Sequence, residues 1–393
     1  MSNGTALPRK GVIVSGGAPT LHLGAGALCA FKERGVNFDV IATSGAGALP
    51  GLLYMRPNHV DPATALRKVV DMNVHDAIYR LIPNNYKVFF KYGPFAQLFY
   101  QLGQAFPHHY ETPWQRLISD SIDLVTAAIT PTTLTYRSKS VLSRVQVVND
   151  LVDWPGLKLA PQDFFLNAFN LPSQKLEVFD KHTMTPDAFY AALAMPWLYP
   201  PTPRVPHGPL YTEGASHDPS GIEAVLMNDS PDKLGDVDWI VLLDTISPDL
   251  WTDPESLYEA LELAIMDPIV ALAENVAAFY AVQEVYFNEF ASPAIKLPKL
   301  YRLRFVLPGW ERGKLLEWSY SNAVTLWNAG YESVQRFWPD QNQTQPNETD
   351  RYYNTLAQNS REGAFLQLFG EPLQNLPRTV VPPPTSPASG GGS

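Results

Sequence analysis

Over the first half of the chain, short apolar runs that end in glycine or other small residues alternate with longer stretches whose apolar positions recur at helical spacing. Residues 11–15, 38–42, 163–170, 175–179, 210–213 and 239–244 read as strands, and the stretch 24–34 has the length of a parallel crossover helix. That alternation predicts a doubly wound α/β domain. Further on, Asp253 caps a helix with Pro254 in its first turn and an apolar pattern running toward Phe290. A last strand is expected at 300–306, and a helix at 315–337 carries Trp318, Trp327 and Tyr331 near helical spacing, which would pack it onto the domain. Residues 377–393 are rich in Pro, Ser and Gly and too poor in apolar groups to fold.

The division expected is a tail at 1–10, then one α/β domain at 11–340 with an insertion at about 57–160 and a helical part at about 253–340. A polar segment and helix follow at 341–375, and a disordered tail at 376–393. With 393 residues and 45% hydrophobic content the chain can bury a large core, so one domain with a helical extension is expected rather than several. A net charge of −10 lacks the footprint of a nucleic-acid binder and disfavours long-range attraction to anionic lipid. The single Cys29 cannot form an internal disulfide, reads as a small core residue, and fits a reducing compartment. No Cys/His spacing suggests a metal, and no cofactor is expected. The first ten residues lack a signal-peptide core and no uninterrupted apolar run approaches the roughly 20 residues of a membrane span, so a cytoplasmic location is expected. Peripheral contact with a membrane or lipid inclusion stays open, and oligomeric state is not readable.

The chemistry concentrates at two turns. Val40-Ile41-Ala42-Thr43-Ser44-Gly45-Ala46-Gly47 is a strand entering a small-residue turn ahead of a helix, where a turn residue projects above the sheet edge and helix N–H groups face developing negative charge. Val12-Ile13-Val14-Ser15-Gly16-Gly17-Ala18-Pro19 breaks in the same way before the helix at 24–34 and reads as an anion cradle. In an open parallel sheet both turns fall at the carboxyl ends of strands, where ligands bind. Two later landmarks are Ala192-Leu193-Ala194-Met195-Pro196 and Tyr211-Thr212-Glu213-Gly214-Ala215.

In order and spacing these four segments resemble the patatin-like phospholipases, from about Gly11 to Asn228 and more weakly to Asp244. The resemblance implies a three-layer αβα sandwich with a mostly parallel central sheet and C-terminal helical additions. It also implies a Ser–Asp dyad that hydrolyses acyl esters of lipids, with Ser in G-x-S-x-G, Asp in D-G-G or D-G-A, and an oxyanion loop that maps onto Gly16, Gly17 and Ala18. Both catalytic positions depart from that pattern, since the Ser slot holds Gly45 and the Asp slot holds Glu213. The basic residue usual after the glycine loop is Thr20, followed by Leu21 rather than Gly.

Three readings follow. Ser44, one residue early, serves as nucleophile with the longer Glu213 as its base, giving a lipid acyl hydrolase or acyltransferase with Gly45, Ala46 and Gly47 as the turn backbone. Alternatively Glu213 acts as acid or base on an apolar substrate without a covalent serine intermediate. In the third, the site is silent and the pocket binds lipid. In each the partner is a lipid or other apolar acyl molecule.

The insertion is rich in aromatics from Ile78 to Trp114, read either as helices packed on the sheet or as a lid or lipid-docking surface. His217 and Asp218 read as a solvent-exposed turn, with a proton relay to Glu213 as the alternative. His182 reads as a turn residue, and Asp244 as a loop cap or a group facing the pocket.

Overall fold

The structure, a computed structural model, describes residues 9–144, 147–196, 198–226, 237–250, 253–254, 256–289, 296–307, 315–340 and 343–352. The expected helix within 341–375, beyond residue 352, and the tail at 376–393 lie outside the described residues. One sheet contains β1 (Arg9–Val14), β2 (Val40–Thr43), β3 (Asp163–Asn170), β4 (Lys175–Asp180), β5 (Thr202–Pro203), β6 (Leu210–Glu213), β7 (Val237–Leu243) and β8 (Lys299–Leu303), in the order β5-β6-β3-β2-β1-β7-β8 with β4 also on β3. The run β3-β2-β1-β7-β8 is parallel, and β4, β5 and β6 pair antiparallel.

Alternation along the strands builds two cores. Val12, Val14 and Ile41 face a layer holding α1 (Leu21–Glu33), α2 (Ala48–Met55), α8 (Pro186–Ala192) and α11 (Tyr320–Phe337), with Phe31, Leu52, Phe189 and Leu326 among the buried contacts. Ile13, Val40, Ala42 and Ile240 face the opposite layer, which holds α9 (Ile222–Leu226) and α10 (Leu257–Glu289), with Val225, Ala277 and Tyr280 buried. The sheet is covered on both sides, as a mostly parallel sheet requires. At about 1.5–3 kcal/mol for each large apolar side chain buried, these layers dominate the stability.

Helix α1 crosses α11 at backbone contact. A side chain at Gly26 would overlap the Trp327 carbonyl, and one at Gly330 the Leu23 carbonyl. Only glycine at both positions lets the two helices lie this close. The expected boundaries shift by a few residues: α1 starts at Leu21, β2 ends at Thr43, β8 is Lys299–Leu303 and α11 begins at Tyr320. Helix α10 starts at Leu257 and continues through Pro268.

Within α10, Glu259–Asn288 is long and apolar enough to cross a membrane by length and composition alone, with 28% of its most apolar stretch buried. Glu262, Asp267, Glu274 and Glu284 interrupt it, so no uninterrupted apolar run reaches that length although the average is apolar. The helix is tied to the sheet by Glu274 to Arg302, Glu284 to Arg351 and the Tyr280 hydroxyl donating to the Pro298 carbonyl at 2.8 Å.

Between β2 and β3 the insertion forms α3 (Pro62–Lys68), α4 (Asp76–Leu81), α5 (Ala96–Gln104), α6 (Pro113–Ile129) and α7 (Val148–Leu151). Thr112 and Gln115 form a reciprocal capping box at the start of α6. Val74, Ile78, Tyr86, Phe90, Ala96 and Ala127 make a separate small core there.

Candidate active site

Strand pairing places the two turns. From Phe165 onward β4 occupies one edge of β3, while the other edge is shared: β2 pairs with residues 163–166, and β6 takes over at 168–170. Because β6 runs antiparallel to β3, its last residue, Glu213, lies opposite Ala168, just beyond Thr43 opposite Leu166. The ends of β2 and β6 thus meet head to head, with Ser44 and Gly45 leaving the edge where Glu213 arrives.

Gly45 has φ +45°, a left-handed conformation that costs other residues about 1–2 kcal/mol. A Cβ on Gly45 would lie 2.6 Å from Glu213 Oε1 and 2.9 Å from the Ala215 Cβ. The Glu213 carboxyl therefore occupies the space into which a side chain at position 45 would project. Glu213 is half-buried, lines an apolar cavity of about 100 Å³ and takes no hydrogen bond on its carboxyl among the described residues. Ala18, Ala46, Phe89, Leu198, Tyr199 and Trp318 share this lining. Burial pushes the Glu213 carboxyl up to about 7.

Ser44 stands elsewhere. It is fully buried, and its hydroxyl donates to the Asp218 carbonyl oxygen at 2.6 Å. The structure does not bring it into hydrogen-bond contact with Glu213, because extended backbone at residue 44 points its side chain toward the 218–221 loop while Gly45 faces the acid. Gly16 is also committed: its N–H donates to the Pro219 carbonyl at 2.9 Å, which removes it from the expected oxyanion set. The N–H groups of Gly17 and Ala18 have no acceptor among the described residues, and Ala18 borders the cavity. Ala46 follows Gly45 in a short 3₁₀ turn at Gly45–Gly47, and the Gly47 N–H donates to the Ser44 carbonyl at 3.0 Å.

Asp218 is fully buried, which corrects its reading as an exposed turn residue. Its carboxylate accepts from Ser220 Oγ at 2.7 Å, the Gly221 N–H at 2.9 Å, the Glu223 N–H at 2.9 Å and Asn167 Nδ2 at 3.1 Å. Burial nonetheless outweighs these donors and raises its pKa. His217 is exposed and stacks on the Phe169 ring, with centroids 3.6 Å apart. Asp244 neither caps a loop nor faces the cavity: it accepts from Arg302 Nε at 2.8 Å in a buried ion pair. His182 sits in a turn, its N–H donating to Asp180 Oδ1 at 3.1 Å. Cys29 is buried in α1, and burial pushes its thiol up to about 12.

Two supporting residues escaped the sequence reading. His22 is buried, with Nδ1 2.6 Å from the Pro19 carbonyl and Nε2 2.7 Å from Asn73 Nδ2. Those partners set the tautomer with the proton on Nδ1, and burial lowers its pKa to about 4, so the ring stays neutral while it braces the glycine loop. Asn167 bonds both oxygen-bearing parts of Asp218 from inside β3, and an amide in the apolar middle of that strand, between Leu166 and Ala168, was the available signal.

Comparison with known proteins adds lineage to this geometry. The sequence model for patatin-like phospholipase matches residues 12–226. Among solved structures, VipD from Legionella pneumophila is similar at 12% identity and a TM-score of 0.32, covering 94% of this chain and 77% of that one. The type III effector protein ExoU is similar at 11% identity and a TM-score of 0.23, with 94% and 63% covered, so this chain spans less than two thirds of it. A search of curated proteins found no match.

Proposed function

This chain belongs to the patatin-like phospholipase family, and from that premise we propose that it hydrolyses an apolar acyl ester with water, activated by Glu213, in place of a serine nucleophile. One observation carries this reading: the nucleophile's position is a left-handed glycine, and the carboxyl of Glu213 fills the space above it. A carboxyl whose pKa lies near 7 is divided between base and acid at neutral pH, as general acid–base catalysis favours. Glu213 takes a proton from water, the hydroxide oxygen bonds to the ester carbonyl carbon, and the oxyanion turns toward the N–H groups at Ala18 and Ala46. Collapse breaks the bond to the alcohol oxygen, which receives the proton back from Glu213. The cavity holds roughly three water volumes, so an acyl chain enters only as the apolar walls around Phe89 and Trp318 move apart.

The test is turnover on a panel of acyl esters, together with fluorophosphonate labelling and peptide mass spectrometry. Hydrolysis that survives Ser44→Ala, is lost in Glu213→Gln and leaves no serine adduct is expected. An adduct on Ser44, or loss of turnover in Ser44→Ala with the fold intact, overturns the mechanism in favour of a serine enzyme. A second reading, lipid binding without turnover, draws support from the apolar cavity lining and the committed Gly16 N–H. Absence of hydrolysis by folded wild-type protein across the panel would favour it.

A further inference from the structure

The insertion carries an apolar face that the described parts of the chain leave open. On α5 and its flanks, Phe95, Leu98, Leu102 and Phe106 are exposed at spacings of three and four residues, which puts them in one stripe. On α6, Trp114, Ile118, Val125 and Ile129 form a second stripe, also exposed. The two helices pack against each other where Gly103 meets Thr126, and their inner sides join the small core at Tyr86 and Phe90.

Charge is nearly absent from this surface. Between Tyr92 and Tyr136 the only charged residues are Glu111, Arg116, Asp120 and Asp123. Arg116 and Asp120 are buried and Asp123 is bonded to His108 at 3.0 Å, which leaves Glu111 as the exposed charge. In the chain Lys91 precedes this stretch and Arg137 and Lys139 follow it; the Lys91 ammonium donates to the Ala128 carbonyl near the end of α6 at 2.8 Å, and the Arg137 guanidinium lies 5.3 Å from the Tyr136 ring. A cavity of about 510 Å³ lies beneath these helices, lined by Tyr100, Gly103 and Thr126. Met72 lines both this cavity and the one holding Glu213.

We propose that the α5–α6 face docks on a lipid surface of zwitterionic headgroups, its stripes lying at the boundary between headgroups and acyl chains. Stripes of Leu, Ile, Phe and Trp with basic residues at the rim are the composition of helices that lie in such a boundary. The net charge of −10 selects against an anionic surface. The cavity beneath this face is separated from the one holding Glu213 by the Met72 side chain, and that proximity gives a lipid molecule, rather than a protein partner, a reason to meet this face. The choice of a lipid occupant rests on the proposed function of the Glu213 site, whereas docking itself requires no turnover there.

The experiment is flotation of the full chain with phosphatidylcholine vesicles. Wild-type protein is expected to float, and Leu98→Glu and Ile118→Glu, both exposed and compatible with the fold, are expected each to lower partitioning by about tenfold or more. Leu159→Glu, an exposed apolar site outside the face, and Glu213→Gln should float like wild type. Failure of wild type to float, flotation only with anionic lipid, or unchanged flotation of both face variants overturns the proposal. So does a dimer in light scattering that Ile118→Glu dissociates while no vesicles are bound, which would assign the face to a second copy.

Discussion

Glu213→Gln is expected to move stability and activity in opposite directions. In the fold the carboxyl titrates near 7, against an ordinary 4.5, because burial disfavours its charged form. A raised folded pKa means that the folded state holds the proton more tightly than the unfolded chain. The resulting stability is fully present below pH 4.5 and is lost as pH rises through 7. The difference is worth about 3 kcal/mol, an upper figure because Glu213 keeps part of its surface open to the cavity. Glutamine preserves the shape and cannot ionise, so the variant should match wild type near pH 4.5 and exceed it at pH 8 by up to that amount, or roughly 6 °C in Tm. Thermal unfolding of both proteins at half-unit pH steps from 4.5 to 8.5 isolates this one group, since every other titrating carboxylate is common to both. Parallel curves would refute the burial argument. Turnover, in contrast, should fall at least about a hundredfold, the range general base catalysis supplies.

Gly45→Ala should cost about 1–3 kcal/mol, from the left-handed backbone and the crowded Ala215 Cβ, and should displace Glu213 so that turnover drops; equal stability by urea denaturation would contradict the geometry. Ser44→Ala should cost only about 1 kcal/mol, because the Asp218 carbonyl keeps its bond from Asn167 Nδ2 at 2.8 Å; a loss above about 3 kcal/mol in the same assay would indicate a larger role for the hydroxyl. Arg302→Met strands Asp244 and leaves Glu274 without its guanidinium though still bonded by the Tyr352 hydroxyl, so a loss of about 3–5 kcal/mol is expected, and an unchanged urea midpoint would show that Asp244 finds another partner.

The parallel core was legible because its strands are nearly continuous apolar runs broken by glycines, and both site turns fall where those runs stop. Glu213 was legible for the same reason. The side-chain directions at the turn were not: whether residue 44 or 45 faces the acid depends on one φ angle, and Ser44-Gly45-Ala46 fits either arrangement. Asp218 looked like an exposed acid because its donors, Asn167 and the N–H groups of Gly221 and Glu223, are a strand residue and backbone that composition does not reveal. The aromatic insertion divided in a way no periodicity announced. Tyr86, Phe89 and Phe90 turned inward, while Phe95, Phe106 and Trp114 remained outside.

The glycine crossing of α1 and α11 bears on where this protein can be cut. The family signature ends at residue 226, yet α1 rests its backbone against a helix that begins almost a hundred residues later, and β1 pairs with β7 beyond that limit. A fragment ending at 226 would expose the groove on α1 around Gly26 and an unpaired edge of β1. Expressed alone, it should aggregate rather than fold, so the autonomous folding unit extends at least to Phe337 and the signature marks ancestry rather than a module.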